Sequence, residues 1–382
     1  MTLEIPSKIP NIGTSIFAVM TKLANEHDAI NLSQGFPDFD CSDDLKALVA
    51  KHLRRGENQY APMPGVPALR RQIVQKIRDL YQADYDVDQE ITVTAGATAA
   101  LFTAITAVVQ KGDEAILVEP AYDSYLPTVL LSGGVPVITK LRFPDYSIDW
   151  DEVRDLISPR TKLIILNTPH NPSGAVLTKN DFQALKEIVR DTNIVIISDE
   201  VYEHIVFDDL QHVSIASDDE LRQRSFVISS FGKTYHTTGW KIGYCTAPAA
   251  LTDEFRRVHQ FLTYAVNTPI QHAYAEFMAD SETYLGLSAF YQEKRDVFLS
   301  KIANSRFKVI PCEGAYFQML DYSAITDAPD HDFANELTIR HGVAAIPPSV
   351  FYSERDDHKV LRFCFAKKNE TLARAGELLS KL

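Results

Sequence analysis

Lys233 stands where a side-chain amine can react with an aldehyde. It lies in Ser229-Ser230-Phe231-Gly232-Lys233-Thr234, at the end of an apolar run from Ser225 to Phe231, and Lys241 follows eight residues later. Removal from water favours the neutral, nucleophilic form of an amine. A solvated lysine in a turn is the ordinary alternative, because Ser-x-x-Lys alone is a weak motif. The pattern indicates attachment of pyridoxal 5'-phosphate at Lys233 if other segments supply the rest of a site.

An aspartate ends a predicted buried strand. The apolar run Ile194 to Ile197 leads into Ser198-Asp199-Glu200-Val201-Tyr202. A carboxylate at the end of a buried strand is unfavourable unless a cation meets it. A protonated pyridine nitrogen is such a cation, and the ionic pair keeps the ring an electron sink. We therefore predict that Asp199 pairs with the cofactor ring.

Asn171 and Tyr202 are candidate hydrogen-bond donors to the phenolate oxygen of the ring. Asn171 lies in Asn167-Thr168-Pro169-His170-Asn171-Pro172-Ser173-Gly174, directly after the β-rich run Lys162 to Leu166. Hydrogen bonds of this kind tune the acidity of the bound cofactor. A capping asparagine and a core tyrosine are the ordinary alternatives.

A phosphate site is predicted where the turn Thr94-Ala95-Gly96-Ala97-Thr98 joins the strand Ile91 to Thr94 to a helix that runs from near Ala97 to near Gly112. Small residues at a helix start leave backbone N–H groups free to bind a phosphate. A plain helix start is the alternative. Ser230 and Lys241 would add donors to the backbone N–H groups of Ala97 and Thr98.

Tyr122 and Arg362 complete the candidate site. Tyr122 follows the predicted strand Ala115 to Val118 and offers a flat face to stack on the ring, although it could be an ordinary core or interface tyrosine. Arg362 lies within the apolar strand pattern Val360 to Ala366. Arginine is seldom buried unpaired, and its planar fork matches a carboxylate. The alternative for Arg362 is a structural ion pair on an edge strand.

Over nearly all of its length the chain resembles the fold-type I aminotransferases of classes I and II. Within them it is most similar to the branch of methionine, kynurenine and glutamine-phenylpyruvate transaminases. The segments that carry this likeness are Asn31-Leu32-Ser33-Gln34-Gly35-Phe36-Pro37-Asp38-Phe39 and Asn58-Gln59-Tyr60-Ala61-Pro62, together with the segments around Asn171, Lys233 and Arg362. The resemblance implies the aspartate aminotransferase-like fold.

The resemblance also assigns roles. Lys233 would bind the cofactor covalently and carry the proton between the substrate α-carbon and the cofactor. Arg362 would hold the substrate α-carboxylate, with help from Asn171 and a backbone N–H near Gly35. Tyr60 would reach the phosphate of a neighbouring subunit, which implies a homodimer with shared active sites. Weaker candidates for the side-chain pocket are Phe17, Phe36, Tyr264 and Asn267.

The order of predicted elements gives an α/β class with two domains. Strands and helices alternate from about Ile91 to Ala247, which predicts a mainly parallel sheet between helices. A helix from Glu254 to Met278 and a second from Tyr284 to Ala303 would lead to a smaller α+β domain. Its predicted elements are strands at Phe307–Pro311, Ala315–Leu320 and Val360–Phe365, and helices at Asp332–His341 and from Asn369. The resemblance implies that the N-terminal segment packs with the small domain. The predicted division is therefore residues 1–45 for an N-terminal arm and part of the small domain, 46–282 for the large cofactor domain and 283–382 for the small domain.

Composition limits the other possibilities. The 382 residues carry a formal charge of -13 and 45% hydrophobic residues, which suits a globular enzyme and argues against nucleic acid or anionic membrane partners. The four cysteines show no metal-like spacing, and no apolar run reaches membrane-spanning length. We expect no metal site, reduced cysteines and a cytoplasmic location. The acidic residues between Ala324 and Asp332, Asp330 among them, are interpreted as a solvated loop.

The function predicted from these observations is transamination between an amino acid and a 2-oxo acid. The resemblance to the methionine-using branch favours methionine or another apolar, thioether or aromatic donor. No second arginine for an acidic side chain is evident, although Arg256, Arg257 and Arg295 remain candidates. A carbon-sulfur lyase on the same fold is the alternative, since both reactions pass through one carbanion. A non-enzymatic regulator that senses the cofactor is a third possibility, but the chain offers no basic DNA-binding module.

Overall fold

The computed structural model describes Leu3 and residues 5–382. Its strands, numbered in chain order, are β1 (Ile30–Asn31), β2 (Ile91–Thr94), β3 (Glu114–Glu119), β4 (Val135–Lys140), β5 (Thr161–Asn167), β6 (Val195–Asp199), β7 (Ser225–Ser230), β8 (Gly243–Thr246), β9 (Lys308–Val309), β10 (Phe317–Asp321), β11 (Val343–Ala344) and β12 (Val360–Cys364). Its α-helices are α1 (Ile16–Glu26), α2 (Asp43–Arg54), α3 (Pro67–Tyr81), α4 (Ala97–Val108), α5 (Tyr125–Leu131), α6 (Trp150–Asp155), α7 (Lys179–Val189), α8 (Asp219–Arg222), α9 (Phe231–Thr234), α10 (Ala249–Leu262), α11 (Thr268–Phe277), α12 (Glu282–Leu285), α13 (Leu287–Ile302), α14 (Asp330–His341) and α15 (Asn369–Leu379). Short 3-10 turns lie at Ile215–Ser217, Thr238–Trp240 and Pro348–Phe351.

The largest sheet has seven strands in the order β2-β8-β7-β6-β5-β3-β4. β8 is antiparallel to both of its neighbours, whereas the other adjacent pairs are parallel. The central strands are buried on both faces of the sheet. Successive residues along a strand therefore belong to two different apolar clusters, one on each face. Ile164 and Ile196 pack with helices α3 and α7, whereas Ile165 and Ile197 pack with α4 and α10. The predicted mainly parallel sheet between helices is therefore confirmed.

The sheet topology gathers the polar strand ends at one edge. The parallel strands β5, β6 and β7 end at Asn167, Asp199 and Ser230. Helix α4 begins at the same edge, after β2. Open α/β sheets bind ligands at the carboxyl ends of their strands, so this edge is where a site is expected.

A smaller sheet, ordered β12-β10-β9, is antiparallel and lies in the C-terminal third of the sequence. In it Met319 of β10 is the pairing partner of Arg362 of β12. β1 pairs in parallel with β11, so the N-terminal segment is joined to C-terminal elements. The backbone of Cys364 also donates a hydrogen bond to the carbonyl of Leu32.

Two expectations about local structure were wrong. The helix predicted from Glu254 to Met278 is divided into α10 and α11, because Asn267 caps α11 through a 3.1 Å bond from the N–H of Ile270 and Tyr264 adopts a positive φ of 63°. The acidic segment before α14 is not uniformly solvated. Asp330 is buried, and its two carboxylate oxygens accept hydrogen bonds from the hydroxyl and the N–H of Ser349 at 2.7 and 2.8 Å.

The sequence predicts core cysteines and no run of membrane-spanning length. All four cysteines are buried and unpaired. Within residues 3 and 5–382, no helix combines the length and the apolar character that a bilayer crossing requires.

Candidate active site

A cavity of about 260 Å³ opens at the carboxyl edge of the large sheet. It brings together the predicted site residues except Tyr60, namely Phe17, Gly35, Ala97, Thr98, Tyr122, Asn171, Asp199, Tyr202, Ser230, Lys233, Lys241 and Arg362. These residues come from segments far apart in sequence. The fold therefore brings the predicted residues, apart from Tyr60, together in one site.

Lys233 enters the cavity from the short helix α9, directly after β7. Its Nζ donates hydrogen bonds to the hydroxyl of Tyr316 at 2.7 Å and to the carbonyl of Gly35 at 3.1 Å. Burial lowers the pKa of the Lys233 amine to about 8, and the charges of Arg362 and Lys241 act in the same direction. About one tenth of the amine is then neutral at pH 7, far more than for a solvated lysine, and this suits a nucleophile and a proton carrier.

Asp199 is the last residue of β6 and is almost completely buried. Its Oδ2 accepts a 2.6 Å hydrogen bond from the hydroxyl of Tyr125. Burial raises the pKa of Asp199 to about 6, although Tyr125 and the charge of Lys233 oppose that rise. A cation placed in the cavity beside this carboxylate would relieve the desolvation penalty, as the prediction for a pyridine nitrogen requires.

The remaining predicted ring contacts lie around the same cavity. Tyr202 is buried, and its ring packs edge-on against Tyr316 with centroids 5.0 Å apart. The side-chain oxygen of Asn171 accepts a 2.7 Å hydrogen bond from Arg362, which leaves the amide N–H groups of Asn171 available to another acceptor. Tyr122 packs edge-on against Tyr125.

A cup of closely packed backbone surrounds the start of α4. Gly96 caps this helix with a φ of 79°, and a Cβ built on Gly96 would lie 3.5 Å from Nζ of Lys241. A Cβ built on Gly243 would lie 2.9 Å from the backbone nitrogen of Ala97 and 2.7 Å from the carbonyl oxygen of Ser229. Glycine at these positions lets a lysine amine and the backbone N–H groups of a helix N-terminus meet. This combination binds phosphate.

Arg362 is completely buried on β12. One terminal nitrogen donates to Asn171, the other donates to the carbonyl of Ser33 at 2.8 Å, and Nε has no hydrogen-bond partner in the described part of the chain. The guanidinium carbon lies 4.0 Å from the ring centre of Phe317. Burial lowers the pKa of Arg362 to about 10. No carboxylate bonds this guanidinium among the described residues, so the structural ion pair considered as the alternative is not formed.

Tyr60 and three of the weaker candidates do not line this cavity. Tyr60 is 84% exposed, and its ring packs edge-on against Tyr264 with centroids 5.8 Å apart. Asn267 caps α11, as described above. Phe36 is 44% exposed and lies beneath the amine of Lys367. Phe17 does line the cavity, and its ring faces the guanidinium of Arg362 at 5.2 Å.

Sequence reasoning missed two tyrosines that bond the principal groups. Tyr125 binds Asp199, and Tyr316 binds Lys233. Tyr125 lies three residues after Tyr122 in the same segment, so its position could have been noticed. Tyr316 precedes β10 and has no pattern of its own beyond an aromatic residue beside a strand.

One group of side chains with metal-ligand atoms occurs among the described residues, at His52, Glu57 and His272. None of the three lines the cavity. Nδ1 of His52 contacts Glu57. Its Nε2 lies 2.8 Å from Oε1 of Glu276, at an angle that does not form a hydrogen bond. The rings of His52 and His272 are stacked at an interplanar angle of 23°, so their in-plane lone pairs do not converge on one point. His52 lies on α2, His272 lies on α11, and Glu57 follows the end of α2.

The donor set fits pyridoxal 5'-phosphate. The cavity offers a desolvated amine for the aldehyde, a buried carboxylate for the ring nitrogen, and a helix start with an adjacent lysine for the phosphate. The guanidinium of Arg362, with its unpartnered Nε, remains for a substrate carboxylate.

Comparisons with known proteins agree with this chemistry. The family described as "Aminotransferase class I and II" matches residues 27–379. The methionine aminotransferase of Escherichia coli (strain K12) is 52% identical over 377 residues, which are 98% of each chain. A crystal structure from Escherichia coli that identifies a methionine aminotransferase function superposes with a TM-score of 0.98, at 52% identity and over 100% of both chains.

More distant relatives agree with the predicted fold and with the predicted branch of the family. Kynurenine–oxoglutarate transaminase of Dictyostelium discoideum is 33% identical over 420 residues, covering 99% of this chain and 96% of the relative. Aspartate aminotransferase of Thermus thermophilus superposes with a TM-score of 0.90 at 27% identity, over 100% of both chains. These matches confirm the aspartate aminotransferase-like fold and the dependence on pyridoxal 5'-phosphate. The chain is an enzyme of the class I and II aminotransferase family.

Proposed function

We propose that this enzyme transfers the amino group of an apolar, thioether or aromatic L-amino acid, methionine above all, to a 2-oxo acid. The observation that carries the proposal is the position of Arg362, a buried guanidinium that lines the cavity and lies near the aromatic rings of Phe17 and Phe317. A substrate α-carboxylate bound there would place its side chain among apolar groups. The similarity to a methionine aminotransferase supports the same choice of donor.

The three arginines that were candidates to bind an acidic side chain form other contacts, away from the cavity. Arg295 forms a bidentate ion pair with Asp208 at 2.6 and 2.8 Å. Arg256 donates to the carbonyls of Asp88 and Ile91, and Arg257 is exposed beside Glu254. None of them lines the cavity. An acidic side chain would lose hydration there without a matching cation from the described part of this chain.

We assign the cofactor contacts as follows. Lys233 would bind the cofactor, Asp199 would pair with the ring nitrogen, and Tyr202 and Asn171 would donate to the phenolate oxygen. Tyr122 would stack on the ring. The phosphate would be held by Ala97, Thr98, Ser230 and Lys241. Pyridoxal 5'-phosphate, when bound, supplies the electron sink that makes the α-proton of an amino acid acidic.

The chain's own groups then bind the substrate and move a proton. Arg362 and Asn171 hold the α-carboxylate, with the segment at Gly35 beside them, and fix the orientation of the α-carbon. The Nζ of Lys233, whose pKa is lowered to about 8, would take the α-proton, hold it and later give it back. Asp199 would pair with a cationic ring nitrogen and stay ionised, because that pairing would offset the burial that otherwise raises its pKa. Both the donor and the 2-oxo acid acceptor present a carboxylate to Arg362.

We further propose a homodimer with shared active sites. Three aromatic residues are exposed on the surface of the single chain, namely Tyr60, Phe261 and Tyr264, and Phe261 is 88% exposed. Large exposed aromatic residues close together in the fold mark a surface that another protein covers. In the dimer Tyr60 would contribute to the phosphate site of the partner subunit. We also propose a cytoplasmic location, where the four buried, unpaired cysteines would remain reduced.

The proposed domain division stays at residues 1–45, 46–282 and 283–382. The pairing of β1 with β11 supports assignment of the N-terminal arm to the small domain. Helix α2 packs on α11, which supports a start of the large domain near Asp43. The second boundary falls at the start of α12, ahead of α13, which packs on α15.

Donor choice is tested by comparing kcat/KM for methionine, phenylalanine, glutamine and aspartate with one fixed 2-oxo acid. We expect methionine or phenylalanine to exceed aspartate by at least tenfold, because a buried carboxylate costs several kcal/mol whereas each sulfur-aromatic contact contributes about 0.3 to 1.5 kcal/mol. Lys233→Ala should abolish turnover, and borohydride reduction of the wild type should label Lys233 rather than Lys241. Aspartate as the best donor would overturn the proposed specificity. Release of ammonia and a thiol instead of a 2-oxo acid with the intact side chain would favour the lyase.

A further inference from the structure

Tyr316, Lys233 and Gly35 form a hydrogen-bonded triangle. The hydroxyl of Tyr316 donates to the carbonyl oxygen of Gly35 at 2.6 Å. Nζ of Lys233 lies 2.7 Å from the same hydroxyl and 3.1 Å from the same carbonyl. Tyr316 is completely buried. The two side chains are 83 residues apart in sequence, so the contact depends on the tertiary fold.

The carbonyl of Gly35, which can only accept, determines which group is the donor in each hydrogen bond of the triangle. A tyrosine hydroxyl has one hydrogen, and a backbone carbonyl can only accept. Because the hydroxyl hydrogen of Tyr316 is directed to Gly35, the oxygen of Tyr316 faces Lys233 as an acceptor. A neutral amine has two N–H groups and one lone pair, and both N–H groups find acceptors in this triangle. The lone pair of Lys233 is therefore left for the cavity, which Lys233 lines together with Asn171 and Arg362.

We propose that Tyr316 is a positioning residue that orients the Lys233 amine as a base, by holding its N–H groups so that the nitrogen lone pair faces the α-carbon of a bound amino acid. This proposal rests on the proposed role of Lys233 as proton carrier. In the step, the α-carbon–hydrogen bond breaks, a new N–H bond forms at Nζ, and the electron pair of the broken bond passes to the cofactor as electron sink. The new N–H then points into the cavity, from which the proton can be returned.

Packing holds the triangle in place. The ring of Tyr316 lies edge-on to Tyr202 and to Phe317, with centroids 5.0 and 4.9 Å away. The backbone at Gly35 is pressed against Phe317, since a Cβ built on Gly35 would lie 3.0 Å from Cζ of that ring. Lys367 donates to the next carbonyl, that of Phe36, at 2.7 Å.

The same region also fixes the substrate clamp. Phe317, the neighbour of Tyr316, lies 4.0 Å from the guanidinium carbon of Arg362. Tyr316, which bonds the base, and Phe317, which packs on the carboxylate clamp, are therefore neighbours in the chain. Preorganisation of this kind lowers the entropy cost of reaching a reactive geometry.

Tyr316→Phe tests the proposal, because it removes one oxygen and keeps the ring. Tyr291→Phe is the matched control, since Tyr291 is also fully buried, lies 5.6 Å from Tyr316 between ring centroids, and its hydroxyl has no hydrogen-bond partner in the described part of the chain. In the cofactor-free full chain, competitive acylation with acetic anhydride across a pH range, followed by peptide mass spectrometry, gives the pKa of Lys233.

The direction of the pKa change separates positioning from simple damage. Tyr316 accepts a hydrogen bond from the charged ammonium, so its removal should lower the Lys233 pKa by about one unit, a tenfold change in the acid dissociation constant. Tyr291→Phe should leave that pKa unchanged. A loosened site that admitted water would instead raise the pKa toward the ordinary lysine value. A raised or unchanged pKa in Tyr316→Phe overturns the proposal.

A second readout follows the proton itself in the loaded enzyme. With α-deuterated methionine, the single-turnover rate of Tyr316→Phe should fall about tenfold or more and its isotope effect should rise, because a misaligned base makes proton transfer limiting. Tyr291→Phe should keep both values. A lowered pKa with a normal rate and isotope effect would refute positioning.

The outcomes also separate this inference from the proposed function. Full turnover in Lys233→Ala would mean that Lys233 is not the proton carrier, whatever the pKa of its amine in Tyr316→Phe. If Tyr316→Phe does not fold, 3-fluorotyrosine placed at position 316 keeps the ring and the hydroxyl but weakens the oxygen as an acceptor. The Lys233 pKa should still fall, by less than in the phenylalanine variant, and an unchanged value would overturn the proposal.

Discussion

The hydroxyl of Tyr125 donates a 2.6 Å hydrogen bond to Oδ2 of Asp199, at a position where burial raises the pKa of Asp199 to about 6. The bond satisfies one oxygen of the carboxylate without neutralising it. Val201 offers only a long backbone contact of 3.4 Å to the other oxygen. The carboxylate of Asp199 therefore lies in an environment that disfavours its charged form unless a cation is bound beside it.

This relationship predicts a stabilising effect of Asp199→Asn in the cofactor-free protein. The folded-state pKa of Asp199 is raised from 3.8 to about 6, so its favourable contribution is complete below pH 3.8 and is lost as the pH rises through about 6. At pH 7 the wild type carries a penalty on the order of 2–3 kcal/mol, which asparagine avoids. Urea unfolding at pH 4 and pH 7 measures the difference.

We expect the variant to be more stable than the wild type at pH 7 and nearly equal to it at pH 4. Asp327→Asn, a change at an exposed aspartate, serves as the control and should show no such pH dependence. With the cofactor bound, the advantage of Asp199→Asn should disappear, because the wild-type carboxylate then has a cationic partner. An equal free energy of unfolding for the two cofactor-free proteins at pH 7 would contradict the account.

Tyr125 also illustrates what the sequence can and cannot predict. Asp199, Lys233 and Arg362 were identified because each is a charged residue at the end of, or within, an apolar strand pattern, where burial demands a partner. Tyr125 and Tyr316 are amphipathic residues that belong equally well in a core. Their roles depend on contacts across 74 and 83 residues, which no local pattern encodes.

The same reason explains the errors in local structure. Asp330 has the sequence surroundings of a solvated acid, but a single serine 19 residues later satisfies both of its oxygens inside the protein. The predicted long helix before Met278 is interrupted because Asn267 caps a new helix and Pro269 occupies its first turn. The sheet, by contrast, was predicted well, since buried parallel strands have apolar runs that few other elements share.

Gly243→Ala should weaken cofactor binding. The backbone of Gly243 is an ordinary strand without a positive φ, so the substitution adds no backbone strain, but its Cβ would press on the backbone nitrogen of Ala97. The start of α4 would have to shift at the proposed phosphate site. Overpacking of this kind costs about 1–3 kcal/mol, so affinity for pyridoxal 5'-phosphate should fall about tenfold or more.

Equilibrium dialysis of the cofactor-free protein against pyridoxal 5'-phosphate measures that affinity. Gly239→Ala is a close control, because nothing lies within 4 Å of a Cβ at that position. If the two variants bound the cofactor equally well, the phosphate would have to be held somewhere other than the start of α4.

Arg362→Lys should lower kcat/KM for amino donors and for 2-oxo acid acceptors alike. Lysine retains the charge but loses the planar fork that matches a carboxylate, as well as the stacking on Phe317. Loss of a buried, hydrogen-bonded charge contact costs about 2–5 kcal/mol, which is at least a thirtyfold reduction. Steady-state kinetics with each substrate varied in turn gives the two values.

Arg340→Lys is the control, since Arg340 lies near the exposed end of α14 and pairs with Glu336. A reduction for one substrate and not for the other would show that Arg362 does not hold the carboxylate that both share.

The last prediction concerns Tyr60, which is 84% exposed in the single chain and does not line that chain's cavity. If Tyr60 completes the site of a partner subunit, Tyr60→Phe and Lys233→Ala homodimers should both be impaired, and mixing them should restore activity. In a mixed dimer one site carries both lesions, whereas the other combines an intact Lys233 with an intact tyrosine from the partner. Random exchange places half of the dimers in the mixed form, so activity should approach one quarter of the wild-type value when both parents are inactive. Analytical ultracentrifugation confirms the dimer. A Tyr291→Phe subunit mixed with Lys233→Ala is the control for dilution, because its activity should stay at about one half of the wild-type value whether or not subunits exchange. A fully active monomer would refute the shared site.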